Sequence, residues 1–129
     1  MDYEEMFADF EFNGKPEEII RSVNGLELPE DYLSFMEEHN GGEGPLGENC
    51  YGCFYPLEEL SDVNDEYEVQ KWWPGFVVLG SDMGGMLWAY NPVKKIYCQI
   101  DSCNTDDDTY STAAGSLWEF LQKMDKELA

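Results

Sequence analysis

Four cysteines, one histidine and a surplus of carboxylates are the side chains of this sequence best suited to chemistry. Cys50-x-x-Cys53 and Cys98-x4-Cys103 have the spacing of thiolate pairs, so a four-thiolate zinc site is one reading. It requires the two pairs to meet in space across the 44 residues between them. Cys98 falls on the apolar side of an alternating run, which suits a buried core thiol better. Tyr51-Gly52 gives the first pair no strand-to-helix setting for redox chemistry. His39 shares a helical face with apolar residues and reads as a packed side chain. With one histidine, no spare is at hand for a nucleophile–base arrangement, and neither Gly-x-Ser-x-Gly nor His-Glu-x-x-His occurs. Glu58/Glu59 and Asp106/Asp108 are spaced for acid–base work in a cleft. The chain has 28 acidic residues, however, so any one pair carries little weight. Asp106-Asp107-Asp108 also lacks the alternation and downstream Glu of a calcium loop.

The stretch Leu79-Gly-Ser-Asp-Met-Gly-Gly-Met-Leu-Trp-Ala-Tyr90 raises the question of a phosphate-binding loop. A dinucleotide fingerprint needs Gly-x-Gly-x-x-Gly between a strand and a helix. Here the second glycine is missing, and the run from Met86 to Tyr90 reads as a strand where a helix should start. No Gly-Lys-Ser/Thr occurs anywhere. The expectation is a hairpin turn built on Asp82, Gly84 and Gly85, with positive φ at one of the two glycines.

The elements that must position these residues follow from pattern. Asp2 to Phe12 reads as a weakly specified helix. Asn13-Gly14-Lys15-Pro16 then opens a short helix carrying Ile19, Ile20 and Val23, which Asn24-Gly25 ends. Leu28-Pro29 opens another, with Glu30 and Asp31 in its positive first turn. Tyr32, Phe35, Met36 and His39 share one face of that helix, and Asn40-Gly41-Gly42 closes it. Residues 43–49 read as a glycine-rich loop, Tyr51 to Tyr55 as a strand, Pro56 to Leu60 as a turn of helix, and 61–71 as a polar helix or loop. A meander follows: Phe76–Leu79, Met86–Tyr90, a turn at Asn91-Pro92, and Lys95–Ile100, with Ile96, Cys98 and Ile100 on one side and Tyr97 and Gln99 on the other. After an acidic loop, 101–110, Ser116 and Glu119 have capping-box spacing, and Leu117, Phe120, Leu121, Met124 and Leu128 form one stripe. The layout predicts one α+β domain over 1–129, with N-terminal helices and a C-terminal helix packed on one face of a mainly antiparallel sheet.

Charge bears on function more than on fold. The net charge is −21 at pH 7, and residues 1–70 hold 20 of the acids against Lys15 and Arg21 alone. Such a surface repels nucleic acid and anionic membranes and attracts a basic partner. The acidic start, MDYEEMFADFEF, has neither the positive nor the apolar region of a secretion signal, so a cytoplasmic setting with reduced thiols is expected.

Five motifs in register resemble the SUKH superfamily, which includes fungal glucan-synthesis regulators of the Smi/Knr type and many bacterial immunity proteins. They are Leu28-Pro29-Glu30-Asp31-Tyr32 with Phe35; Asn40-Gly41-Gly42; Phe54-Tyr55-Pro56-Leu57-Glu58-Glu59-Leu60; Phe76 to Gly85; and Trp118-Glu119-Phe120-Leu121. Met83 stands where many relatives carry glycine, and the CxxC is not a hallmark of the group. The resemblance implies a domain without catalysis or cofactor, and for many bacterial members neutralisation of a toxin, often a nuclease, by binding it. The charge independently favours a basic protein partner. The densest acidic clusters outside the N-terminal helices are Glu58, Glu59, Asp62, Asp65 and Glu66, then Asp101, Asp106, Asp107 and Asp108. These are the expected partner-binding residues, with Tyr67, Trp72 and Tyr110 as candidate aromatic anchors. Trp72 and Trp73 also read as core.

Overall fold

The structure, a computed structural model, describes residues 2–103 and 110–128. In chain order the elements are α1 (Tyr3–Met6), β1 (Glu11–Phe12), β2 (Ser22–Val23), β3 (Leu26–Glu27), α2 (Glu30–His39), β4 (Gly42–Leu46), β5 (Cys50–Phe54), a 3-10 turn (Leu57–Glu59), α3 (Leu60–Glu66), α4 (Val69–Trp72), β6 (Val77–Ser81), β7 (Met86–Asn91), β8 (Ile96–Asp101), β9 (Tyr110–Ala114) and α5 (Leu117–Glu127). Seven strands form one sheet in the order β1-β4-β5-β6-β7-β8-β9, and β2 and β3 form a separate ribbon. Every pairing among the described strands is antiparallel. The architecture is α+β, with a helix near each end of the chain. No described helix is long and apolar enough to cross a membrane.

Three expectations are corrected. The N-terminal helix shrinks to four residues, and Phe12 joins the sheet instead. The helix expected to carry Ile19, Ile20 and Val23 is absent; Val23 lies in a hairpin whose turn, Asn24-Gly25, has φ of 52° and 81°. Asn-Gly with both φ positive is the preferred two-residue hairpin turn, so turn chemistry overrode a weak apolar spacing. Residues 43–49 are largely strand β4 rather than loop, with Gly42 to Leu46 paired to Phe54 through Cys50. Strand β9 was not anticipated at all.

As expected, α2 and the C-terminal α5 pack on one face of the sheet; α4 adds cover on the other. Val77, Leu79, Trp88, Tyr90 and Tyr97 pack with Tyr32, Phe35, Met36, Phe120, Leu121 and Met124 of α2 and α5. Val78, Leu87, Ala89, Cys98 and Ile100 form a second cluster with Val69, Trp73 and Phe76. Burial on both faces explains why β6 reads as an unbroken apolar run. Trp88 explains two strand glycines: a Cβ on Gly52 or Gly80 would collide with its indole ring or with the facing backbone.

Two polar side chains join these layers. Asn64, buried within α3, accepts from Val78 N (2.8 Å) and donates to Val78 O (3.0 Å) and Leu60 O (2.8 Å). Its amide acts as a strand where β5 has left β6. Asp31 accepts from the Tyr97 hydroxyl at 2.5 Å, from Tyr32 N at 2.9 Å and from Leu117 N at 2.8 Å. It thereby ties α2 to β8 and to the first turn of α5, where Ser116 also caps Glu119 N at 3.2 Å.

Replacing Asp31 with Ala strands the Leu117 amide and the hydroxyl of buried Tyr97. An expected loss of about 2 kcal/mol, tempered by the exposure of Asp31, should lower the urea midpoint without changing the slope. Tyr97→Phe removes only the donor and should cost about half as much. A midpoint for Asp31→Ala equal to that of the parent would refute this account.

Candidate functional site

The hairpin question is settled by where the loop amides point. Asp82 Oδ1 accepts from Gly84 N at 2.7 Å and from Met86 N at 3.0 Å, and Ser81 Oγ accepts from Met83 N at 2.8 Å. The donors that would hold a phosphate already hold this chain's own carboxylate. Met83 and Gly85 take positive φ, 63° and 114°, and β7 begins at Met86. The stretch is a strand–turn–strand hairpin.

The cysteine pairs do not assemble. Cys50 and Cys53 lie three apart on β5, hence on opposite faces. Cys50 belongs to the core cluster under α2 and α5, and Cys98 to the cluster on the other face. Among the described residues no group of three or more His, Cys, Asp and Glu side chains could hold a metal ion. Burial, then Asp125, pushes the Cys50 thiol up to about 11; burial, then Glu43, does the same to Cys53; burial carries Cys98 to about 12. These are protonated, weakly nucleophilic thiols at neutral pH. His39 is stacked on Phe12 with ring centroids 3.8 Å apart, and its Nε2 lies 3.7 Å from Glu38. It is a packed side chain.

What the fold does build is an acidic cleft continuing onto a ridge. The cleft, of about 610 Å³, is lined by Lys15 and Glu17 from the N-terminal segment, Asn40, Glu43 of β4, Cys53 and Tyr55, Glu58 and Glu59 of the 3-10 turn, and Met83 of the hairpin tip. Asn40 holds it together. In the left-handed conformation (φ 49°) it ends α2, accepts from Leu57 N at 2.8 Å, and donates to the Glu58 carboxylate at 3.0 and 3.3 Å. The Asn40-Gly41-Gly42 and Pro56-to-Leu60 motifs are therefore parts of one clamp. Burial raises the Tyr55 phenol to about 12.

The chain belongs to the SMI1 / KNR4 family (SUKH-1). The family model matches residues 17–123. No individual curated protein matches the chain at a significant level. The SUKH-1 span takes in α2, the Asn40 clamp, the hairpin and most of α5; α1 and β1 lie outside it.

Within this SUKH-1 domain the expected partner-binding residues divide into three sets. Glu58, Glu59, Asp62, Asp65 and Glu66 are all exposed, and they run as one ridge from the 3-10 turn along α3. Asp101 is exposed at the end of β8, opposite Met86, and accepts from Cys103 N at 2.9 Å; it lies outside the cleft. Asp106, Asp107 and Asp108 lie outside the described residues. Sequence spacing missed Glu17, Glu18 and Glu43, which the fold brings to Glu58. The only clue was that Glu43 follows the glycines that close α2. Of the aromatics, Tyr67 and Trp72 are exposed at 39 % each, whereas Trp73 is core. Tyr110 is half-buried against Phe76.

Thiol chemistry checks this placement. In the native protein at pH 7.5 a disulfide reagent should label exposed Cys103 quickly and Cys50, Cys53 and Cys98 slowly, with all four reacting after denaturation. Rapid labelling of Cys98 would contradict the buried second cluster. The three raised thiols stay protonated in the fold while the unfolded chain ionises from about pH 9, so their contribution is full below that pH. It is lost as pH rises through 11 to 12. Urea midpoints should be level up to about pH 8.5 and fall above it.

Proposed function

We propose that this chain is a non-catalytic protein-binding domain, an immunity protein that binds and neutralises a basic toxin through its acidic surface. The carrying observation is the ridge Glu58-Glu59-Asp62-Asp65-Glu66, five exposed acidic residues none of which is in an ion pair among the described residues, with Lys15 on the cleft wall at its Glu58 end. Among the described residues the Lys/Arg ion pair is Lys71–Glu68 at 3.5 Å, and His39 Nε2 lies 3.7 Å from Glu38. Two other cations are engaged elsewhere: Lys123 donates to Ala113 O at 2.7 Å, and Lys94 lies 5.2 Å from the Tyr110 ring centre. Nucleases are the toxin class this field fits best, since a protein that grips phosphates is basic. Long-range attraction of that kind speeds encounter and orients it. This reading places the protein in the cytoplasm with its target.

Family membership supports a second reading, a regulatory scaffold of the glucan-synthesis-regulator type. It calls for several non-toxin partners and no toxin gene alongside. Coexpression and pull-down with any toxin encoded beside this chain separate the two. The immunity reading expects protection and a complex weakened by salt; absence of both binding and protection would sink it. Neutralising the ridge with Glu58→Gln, Glu59→Gln, Asp62→Asn, Asp65→Asn and Glu66→Gln should lower the association rate about 10- to 100-fold at low salt, with a smaller change in dissociation. Stopped-flow mixing at two salt concentrations reads both rates.

A further inference from the structure

A second surface, sharing no residue with the cleft, is an apolar groove of about 410 Å³ between α1, α2 and the first turns of α5. Asp31, Ser34, Phe35 and Glu38 of α2, at helical spacing, form one wall. Leu117, Trp118 and Leu121 form the other, and Tyr3 closes the end, its ring centre 5.9 Å from that of Trp118. Phe35, Leu117 and Leu121 are buried and make the floor; Tyr3 remains 46 % exposed. Glu38 is close enough to Tyr3 to add to the effect of burial in raising its phenol. Tyrosine and tryptophan around an apolar slot are the composition of an interface anchor point. Its charged rim is acidic only, since no lysine or arginine lines it.

We propose that this groove is a docking site for a segment of a basic protein partner, taking one apolar side chain, Leu or Trp, flanked by lysine or arginine. The apolar side chain enters between Phe35, Leu117, Trp118 and Leu121, and the flanking cations meet Asp31 and Glu38. Charge complementarity selects this occupant. A second copy of the chain would bring another −21 charges against the same acidic rim. The inference rests on the reading above only in taking the partner to be basic. It adds a contact that supplies apolar burial, which the ridge does not.

The test maps binding by amide and indole NMR shifts, with the full chain and three synthetic peptides. Lys-Lys-Leu-Trp-Lys-Lys should shift Ser34, Glu38, Leu121 and the Trp118 indole. Lys-Lys-Gly-Ser-Lys-Lys should move only scattered acidic positions, and Glu-Glu-Leu-Trp-Glu-Glu should not bind. Trp118→Ala should weaken the first peptide about tenfold and leave the second unchanged. Because Trp118 also touches the core, Ser34→Lys, on the exposed face of α2, gives an independent block with the same expected loss. Shifts by the first peptide that miss the groove, or an affinity unmoved by both variants, overturn the proposal. So does full toxin protection by both variants, an outcome that leaves the immunity reading standing.

Discussion

The Asp31 carboxylate is the contact on which the arrangement of layers depends. It sits in the first turn of α2, where the helix end favours negative charge, and it accepts the first amide of α5, a second helix end of the same polarity. The Tyr97 hydroxyl closes the set from β8, the strand beside the edge strand β9. One charge thus satisfies three donors, two of them on elements distant in the chain. Burial and the neighbouring carboxylate both hold the Tyr97 phenol above its ordinary value. With the start of α5 held against α2, Phe120, Leu121 and Met124 fall on the same sheet face as Phe35 and Met36. The groove between the helices is what remains where their backbones are held together at one end and their side chains stop short of meeting.

Neutral amides do comparable work on the other side. Tyr55 N bonds to Leu79 O at 3.0 Å, and beyond that point β5 leaves β6. The polar edge this opens would be costly if left bare. Asn64 fills it at Val78, and Asn40 receives Leu57 N one turn earlier. The departing segment can then form the 3-10 turn and α3 without exposing the sheet edge, and it carries its carboxylates outward. Neutral amides, which need no counter-ion, hold the ridge in place and leave nearly all its acidic groups exposed.

Helix α2, the hairpin and α5 were legible because each carries several local signals that agree: acids in a first turn, Ser116 three residues before Glu119, Asp82 beside two glycines. The segment from Phe12 to Val23 was not, since its apolar spacing fits a helix while Asn24-Gly25 demands a hairpin, and the local turn won. Strand β9 has little apolar alternation; Thr112 takes φ 55° in it and bonds sideways to Gln99 and Glu127, so its order comes from β8 and α5. The ridge was visible as a run of acids. The cleft was not, because Glu17, Glu43 and Glu58 meet only once β4 pairs with β5 and Asn40 ties α2 to the 3-10 turn. The groove was hidden for the same reason: Leu117 and Leu121 read as core, and only the fold sets Tyr3 and α2 beside them.

The uncompensated charge then connects stability to recognition. Its acids lie largely at the surface, so the fold avoids burying them, but their mutual repulsion still disfavours the compact state. The family's alternatives, toxin inhibitor or scaffold, differ in what relieves that repulsion. Under the toxin-inhibitor proposal a basic partner covering the ridge would remove it directly, so part of the binding free energy would be the recovery of a cost already present in the free chain. The same partner stabilises the fold by mass action. On this view the acids are not tuned one by one to a contact. If the proposed basic partner binds, a dense field around a clamp of neutral amides would give fast, oriented encounter, and the proposed docking of an apolar side chain beside Trp118 would then separate the right basic protein from the many wrong ones.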